Sequence, residues 1–348
     1  MKLGMVLAIR NHPQRPYPLA EVYADYIEDA VYADQQLNFD HLWVNEHHLS
    51  IDAYAPSAFI TMAAIAAKTK NIRLGSAVCC LPFHNPLRIA EDAATLDIIS
   101  GGRLDMAVGV GSSPHEYKTF DTPRSEAWKR SWESAEFIRR TFVEEQFDFD
   151  GEFYKFEEVT QTTKPVQSPP PMWWGGFGPQ SMRRAAQRGF HVLACAAPEY
   201  DRALLELGKP LDKHEVAQVC AIHVAESLEQ AWDEAQYGLH WFMNFHRVIN
   251  NIPAGGTDAG PLEQLPPPEK LREVEGLTFM PGIPIYIGTP DSVREQLLAV
   301  CRGEKGRITQ LAFHFRHAGM RTPEVRRSME LFRTEILPHI PRDVTRPS

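Results

Sequence analysis

At 348 residues, 43% hydrophobic and 23% charged, the chain is long enough for one large core and too apolar for disorder to be its default state. Its 36 Lys and Arg against 45 Asp and Glu give a formal charge of −9 with no basic tract, which excludes the electrostatic footprint of a nucleic-acid-binding protein. No run of about 18 apolar residues marks a membrane span, and Met1 to Arg10 reads as a strand rather than a leader, so a soluble, cytoplasmic protein is expected.

Lys2 to Ile9 is a first apolar strand, and a Pro-rich loop leads to a helix from about Leu19 to Gln36 with Val22, Tyr26, Ala30 and Ala33 on one face. His41 to Glu46 is a second strand, Pro56 to Lys68 a helix opening at proline, and Ile72 to Leu81 a third strand. Pro86 to Ser100 repeats the proline-led helix, Gly101-Gly102 ends it, and Leu104 to Val110 returns as a fourth strand. Arg124 to Phe142 is a long amphipathic helix, after which the alternation stops between Asp148 and Pro171. Met172 to Gly175 resumes as a fifth strand with Gln180 to Arg188 as its helix. His191 to Ala196 and Val216 to Val224 are the sixth and seventh strands, with the short helix Tyr200 to Leu207 between them. Ser227 to Asn250 is a long helix. Asn251 to Gly282 carries Gly255-Gly256 and Pro266-Pro267-Pro268 without an apolar period and reads as an insertion or lid loop. Asp291 to Cys301 is a helix, Thr309 to Phe315 an eighth strand and Pro323 to Leu337 the closing helix.

Eight strands alternating with helices, without hairpin signals, predict a parallel (β/α)8 TIM barrel. The whole chain, 1–348, is then one domain with 251–282 inserted before strand eight, and chemistry belongs on the loops that follow the strands. The five cysteines, Cys79, Cys80, Cys195, Cys220 and Cys301, are odd in number and mostly scattered; buried reduced thiols suit them better than a disulfide framework or a zinc site.

At the end of the second strand, Trp43-Val44-Asn45-Glu46-His47-His48 places Trp43, Asn45 and His47 on one side and Glu46 and His48 on the other. A histidine there suits proton transfer near neutral pH, and a neighbouring carboxylate can orient it. A hydrogen-bonded pair that merely ties a loop is an equal reading of the same residues. A metal centre fits less well, because H-E-x-x-H spacing and a third ligand are missing.

This segment resembles the W-x-x-E-H-H motif of the bacterial luciferase-like flavin-dependent monooxygenases. In that family's order follow Gly75-Ser76-Ala77-Val78, Leu81 to Asp92, Leu96-Asp97, Ser100 to Leu104 and Val108-Gly109-Val110-Gly111. Asp150 to Tyr154, Pro165 to Pro169, Pro171 to Trp174, Ala185 to Gly189 and Gly288 to Val293 continue the match, which fails only between about Cys195 and Gly282.

The resemblance implies a luciferase-like barrel and an oxygenase that uses reduced FMN from a separate reductase to activate O2 as a flavin hydroperoxide. Its substrate would be a small, largely apolar organic molecule, with hydroxylation and Baeyer–Villiger insertion both open. A deazaflavin-dependent oxidoreductase and a non-catalytic partner subunit are the alternatives. No G-x-G-x-x-G fingerprint follows the first strand, so a built-in nicotinamide site is not expected. His47 matches the family's catalytic histidine and His48 its neighbour in the flavin pocket; Glu46 matches the motif's carboxylate, with an orienting role. Ala77 and Gly111 are carried over as flavin contacts. The phosphate is expected at Gly176, Gly178 and Ser181, where a glycine turn meets a helix start. The family's arginine after strand four is Val110 here, so Lys129 or Arg130 is expected to compensate. Luciferase's reactive cysteine is Gly109, which argues against light emission. Trp43, Tyr54, Phe83, His84 and Trp174, near strand ends, are expected to wall the substrate pocket. Apolar residues on more than one face of Ala58 to Ala67 and Ile89 to Ile99 predict a homodimer.

Overall fold

The computed structural model describes residues 1–194, 197–251, 265–280 and 282–342. In chain order the first half runs β1 (Lys2–Leu7), α1 (Leu19–Gln35), β2 (His41–Val44), α2 (Ala58–Ala66), β3 (Arg73–Ser76), β4 (Cys79–Cys80), α3 (Pro86–Ser100), β5 (Leu104–Gly109), α4 (Pro114–Thr119) and α5 (Ala127–Val143). The second half runs β6 (Phe147–Asp150), β7 (Lys155–Val159), β8 (Met172–Gly175), α6 (Pro179–Arg188), β9 (His191–Ala194), α7 (Pro198–Glu206), β10 (Val216–Val224), α8 (Leu228–Asn251), β11 (Ile285–Gly288), α9 (Pro290–Cys301), β12 (Gln310–His314) and α10 (Thr322–Leu331).

The sheet closes. Its order is β12-β1-β2-β3-β5-β8-β9, and β10 joins β9 to β12, with every pairing parallel. These eight strands are the predicted barrel. Residues of alternate parity divide the core: Leu3, Met5 and Leu7 join the outer layer under the helices, whereas Val6 packs on the axis with Trp43, Ala107, Trp173, Ala217 and Ala312. That is the period of two expected of a strand whose two faces are both buried.

The structure departs from the sequence reading in four places. The third strand breaks into β3 and β4 around a cis Ala77–Val78 peptide. Residues 147–159, read as patternless, form the antiparallel hairpin β6-β7, whose Phe147, Phe149 and Phe156 pack on Phe137 of α5. Its loop is the four residues Gly151–Tyr154, closed by the Gly151 N–H donating to the Tyr154 carbonyl at 2.9 Å, and not the two-residue turn that an Asp-Gly pair signals. The short helix α4 was also unforeseen. Finally, β11 pairs with the C-terminal half of β10 (Ala221↔Ile285, Val224↔Gly288), so it extends the wall at the mouth without belonging to the eight.

Of the expected loop Asn251–Gly282, residues 252–264 and 281 lie outside the described residues. The part from 265 to 280 is anchored at two points: Leu271 and Phe279 are buried, and the Phe279 ring stacks on Phe242 of α8 at 3.8 Å and 11°. Cys79, Cys80 and Cys220 are buried free thiols and Cys301 is partly exposed, while Cys195 lies outside the described residues. No helix among the described residues is long and apolar enough to cross a membrane.

Candidate functional site

The alternation of β2 continues past its last paired residue and splits the motif at its end. Trp43 points to the axis, fully buried, with its indole Nε1 donating to Gln310 Oε1 at 2.8 Å and its ring meeting Trp173 edge-on at 5.1 Å. A Cβ on Gly75 would come within 2.3 Å of the Trp43 ring, so only glycine leaves room for it. Trp43 is therefore the barrel floor and not a wall of the substrate pocket, as its position near a strand end had suggested.

Asn45 and His47 lie above it on the same side. Asn45 Nδ2 donates to the Ala77 carbonyl at 2.9 Å, while its Oδ1 is buried without a partner. His47 has Nδ1 3.4 Å from Glu116 Oε1, and its ring lies 4.5 Å from Tyr54 and 6.0 Å from Phe245. Glu116 is a buried residue of α4 that the sequence reading missed. Its Oε1 also accepts from the backbone N–H of His48 at 2.7 Å, while Oε2 has no partner. The signal for it was Ser113-x-x-Glu116: Ser113 Oγ accepts from the Glu116 N–H, as an N-cap should. The carboxylate completes no capping box and reaches His48 and His47 instead.

Glu46 faces the other way. Its Oε1 accepts from His84 Nε2 at 2.8 Å, from the Cys80 N–H at 3.1 Å and from His48 Nε2 at 3.2 Å. Burial alone would raise its pKa, but the hydrogen bonds and charges of His48 and His84 outweigh burial and hold it at about 2. Glu46 thus orients His48 and His84; the carboxylate beside His47 is Glu116. One ligand atom each from Glu46, His48 and His84 lies within 4.8 Å of the others, a set that could take a metal ion. Here the carboxylate already serves as hub of the junction between the loops after β2 and β4. Phe83 stands beside this junction, with its ring 6.0 Å from His48, 5.0 Å from Phe120 and 4.8 Å from Tyr117. The ring also lies over Gly111, where a Cβ would meet it at 3.2 Å.

The mouth holds a second buried charge pair. Arg10, two alternations beyond Val6 of β1, donates from Nε to Asp52 Oδ2 at 2.6 Å. His314, at the end of β12, faces the same space with its Nδ1 3.0 Å from that of His317. Burial first, and then the charge of Arg10, pull the His314 pKa down to about 3, so its imidazole is neutral. Neither Arg10 nor His314 was singled out from the sequence, although carrying the strand period three residues past β1 would have found Arg10.

Beyond β8 the chain turns through Gly176 and Gly178 into α6. A Cβ on Gly176 would lie 2.8 Å from Trp174 Nε1 and 2.9 Å from Ser181 Oγ, and Gly178 has φ +87°, so both positions require glycine. Trp174 Nε1 donates to Ser181 Oγ at 2.8 Å, which leaves the Ser181 hydroxyl hydrogen to donate elsewhere. Trp174 itself is fully buried and stacks on Trp132 of α5 at 3.8 Å. It positions Ser181 from the helix side and is not a pocket wall. Lys129 pairs with Glu152 at 2.9 Å. Arg130 pairs with Glu126 at 2.8 Å and lies over Phe153. Both cations are thus engaged by carboxylates of the protein.

These residues fit a flavin mononucleotide. A glycine turn and a helix start with a held serine suit a phosphate, and Asn45 Oδ1 is a buried acceptor that the protein leaves unused. Ala77 and Gly111 border the same mouth, after β3 and β5. Residues 1–303 match the luciferase-like monooxygenase family. The oxygenase component of a flavin-dependent trigonelline monooxygenase from Acinetobacter baylyi is 30% identical over 258 residues, which are 68% of this chain and 71% of that protein. An F420-dependent glucose-6-phosphate dehydrogenase from Kineococcus radiotolerans is 32% identical over 46% of this chain and 49% of its own. A monooxygenase from Streptomyces bottropensis of known structure is 25% identical and superposes with a TM-score of 0.80, covering 97% of this chain and 99% of its own.

Proposed function

The chain belongs to the luciferase-like monooxygenase family, and from that premise we propose that it is the oxygenase of a two-component system. It takes reduced FMN from a separate reductase and places one atom of O2 into a small, largely apolar organic substrate. The observation that carries this reading is His47, held in the barrel mouth by Glu116 and Tyr54 and sharing that mouth with the turn at Gly176–Ser181. Bound reduced flavin supplies the electrons that allow dioxygen to react with an organic molecule.

With its Nδ1 turned to Glu116, His47 exchanges a proton at Nε2, a role suited to an imidazole at neutral pH. Ser181 and the first turn of α6 hold the phosphate, and Asn45 Oδ1 accepts from the polar edge of the ring system. Tyr54 and Phe245 supply an apolar wall. Residues 265–280, within the segment Asn251–Gly282, act as the lid, with Phe279 on Phe242 as the docked anchor, and exclude water while the substrate reacts. Two copies pair through α2 and α3, where Ile60, Ile98 and Ile99 are exposed apolar residues.

Rapid mixing with reduced FMN, or with reduced F420, in aerated buffer tests the cofactor. Binding of reduced FMN and O2-dependent reoxidation altered by the protein are expected. Tight binding of F420 with no response to FMN would transfer the chain to the hydride-transferring branch of the family.

A further inference from the structure

An arginine carries five N–H donors, and burying them without partners is costly. Arg10 is 2% exposed, yet among the described residues only its Nε has a partner; Nη1 and Nη2 are both buried without an acceptor there. Asp52 does not relieve them. Its Oδ2 receives Arg10 Nε and also Trp241 Nε1 at 2.8 Å, and its Oδ1 receives Ser50 Oγ. The carboxylate therefore balances the charge and fixes the guanidinium from its Nε side, while the Nη edge, buried beneath the surrounding rings, has no acceptor among the described residues. That edge is the fork with which arginine binds a planar anion through two parallel hydrogen bonds.

The surroundings describe what the anion would be attached to. The guanidinium centre lies 4.1 Å from the Phe245 ring, 4.3 Å from Tyr54 and 5.0 Å from Phe242. Tyr54 is one ring, 4.5 Å, from His47. Its hydroxyl and His314 Nε2 are two further buried polar atoms without a partner in this mouth. A flat ring between these aromatic walls would lie against His47 while a carboxylate on it meets Arg10.

We propose that Arg10 is the substrate anchor, and that the substrate is an aromatic carboxylate held through its carboxylate group by Nη1 and Nη2. This inference rests on the oxygenase reading only for what happens to the bound ring; the recognition itself is a property of the chain without flavin.

The test is a titration of the flavin-free protein with benzoate and with benzamide, its neutral isostere, followed by calorimetry or by the fluorescence of Trp241 and its neighbours. Benzoate is expected to bind at least about tenfold more tightly than benzamide. Arg10→Met should erase that preference. Arg10→Lys keeps a charge for Asp52 and so guards against a variant that fails to fold; it should lose most of the preference, because an ammonium has no fork. FMN affinity is measured on the same variants. Equal binding of the two probes, or a preference that survives in both variants, would overturn the proposal. So would a loss of FMN affinity with the preference intact, because the guanidinium would then face the cofactor. If the benzoate preference holds while reduced FMN does not bind, the cofactor reading fails and the anchor stands.

Discussion

Two buried polar clusters, one at each end of the barrel, are built in opposite ways. At the N-terminal end, Asp105 of β5 receives His41 Nδ1 at 2.9 Å and Arg73 Nε and Nη2 at 2.9 Å each. Arg73 Nη2 also reaches Gln167, whose own backbone N–H goes to Asp97. At the C-terminal end, Arg10 Nη1 and Nη2, Asn45 Oδ1, Tyr54 O–H, Glu116 Oε2 and His314 Nε2 are buried with no partner among the described residues. Unsatisfied groups of this kind cost stability wherever they occur, and single ones such as Gln310 Nε2 and Glu215 Oε2 are found at the N-terminal end as well, but six of them meet around the mouth, where recognition and chemistry are proposed. The Asp105 cluster is the saturated end of this comparison and the mouth the unsaturated one.

That contrast breaks most directly at Asp105. Burial by itself would raise its pKa, but the His41 hydrogen bond and the charge of Arg73 hold it well below the usual carboxylate range. Asp105→Ala leaves Arg73 and His41 uncompensated and should cost about 3–5 kcal/mol, read by denaturant unfolding. Turnover per folded molecule should be unchanged. A variant that kept its stability but lost turnover would show that the division between the two ends is wrong.

Glu46 lies at the mouth yet resembles the saturated end, and it gives the next largest effect. Its pKa falls from 4.5 unfolded to about 2 folded. A depressed carboxylate pKa stabilises the fold fully above the unfolded value and loses that contribution as pH drops through the folded one. The contribution is about 3 kcal/mol and should vanish between pH 4.5 and pH 2. Glu46→Gln should flatten the stability curve over that window. An unchanged acid limb would mean that His48 and His84 do not hold the carboxylate in solution.

His47 sharpens the comparison from the other side. His47→Ala should fold and bind FMN as before, and lose at least about a hundredfold in product formation. Activity within a few-fold of the parent would leave Glu116 holding only a loop. Glu116→Gln should then be silent as well.

How far these roles were readable depended on whether local pattern set them. The eight barrel strands and their helices were legible because apolar runs and proline-led helix starts recur along the chain, and strand parity alone separates His47 from Glu46. Parity did not say which side each would serve. Glu46 was expected to orient His47, but the carboxylate that does so comes from Glu116, nearly seventy residues on, and no local pattern encodes that contact. Trp43 and Trp174 were misplaced for a related reason. An aromatic at a strand end lines a mouth, fills a floor or backs a helix, and Gly75 and Ser181 decide between these only in three dimensions. The β6-β7 hairpin and β11 were lost because short strands outside the main alternation have no period to announce them.

The smallest expected effect tests whether the Gly176–Ser181 turn belongs to the unsaturated end at all. The turn lies after β8, and its serine is already engaged by Trp174 Nε1. If the remaining hydroxyl hydrogen and the first N–H groups of α6 meet a phosphate, an added negative charge there opposes the ligand, although it would suit an empty helix start. Ser181→Asp should therefore weaken FMN by about tenfold in a fluorescence titration. At the same time it should leave or slightly raise the unfolding midpoint of the flavin-free protein, because the helix dipole favours the carboxylate. The opposite signs are what make the test selective: a merely tight turn predicts loss of stability from disturbing the Trp174 hydrogen bond and no specific loss of FMN. Since Lys129 and Arg130 are occupied by Glu152 and Glu126, Lys129→Ala should leave FMN affinity unchanged, and a drop in that variant would mean that the Glu152 pair opens when the phosphate arrives.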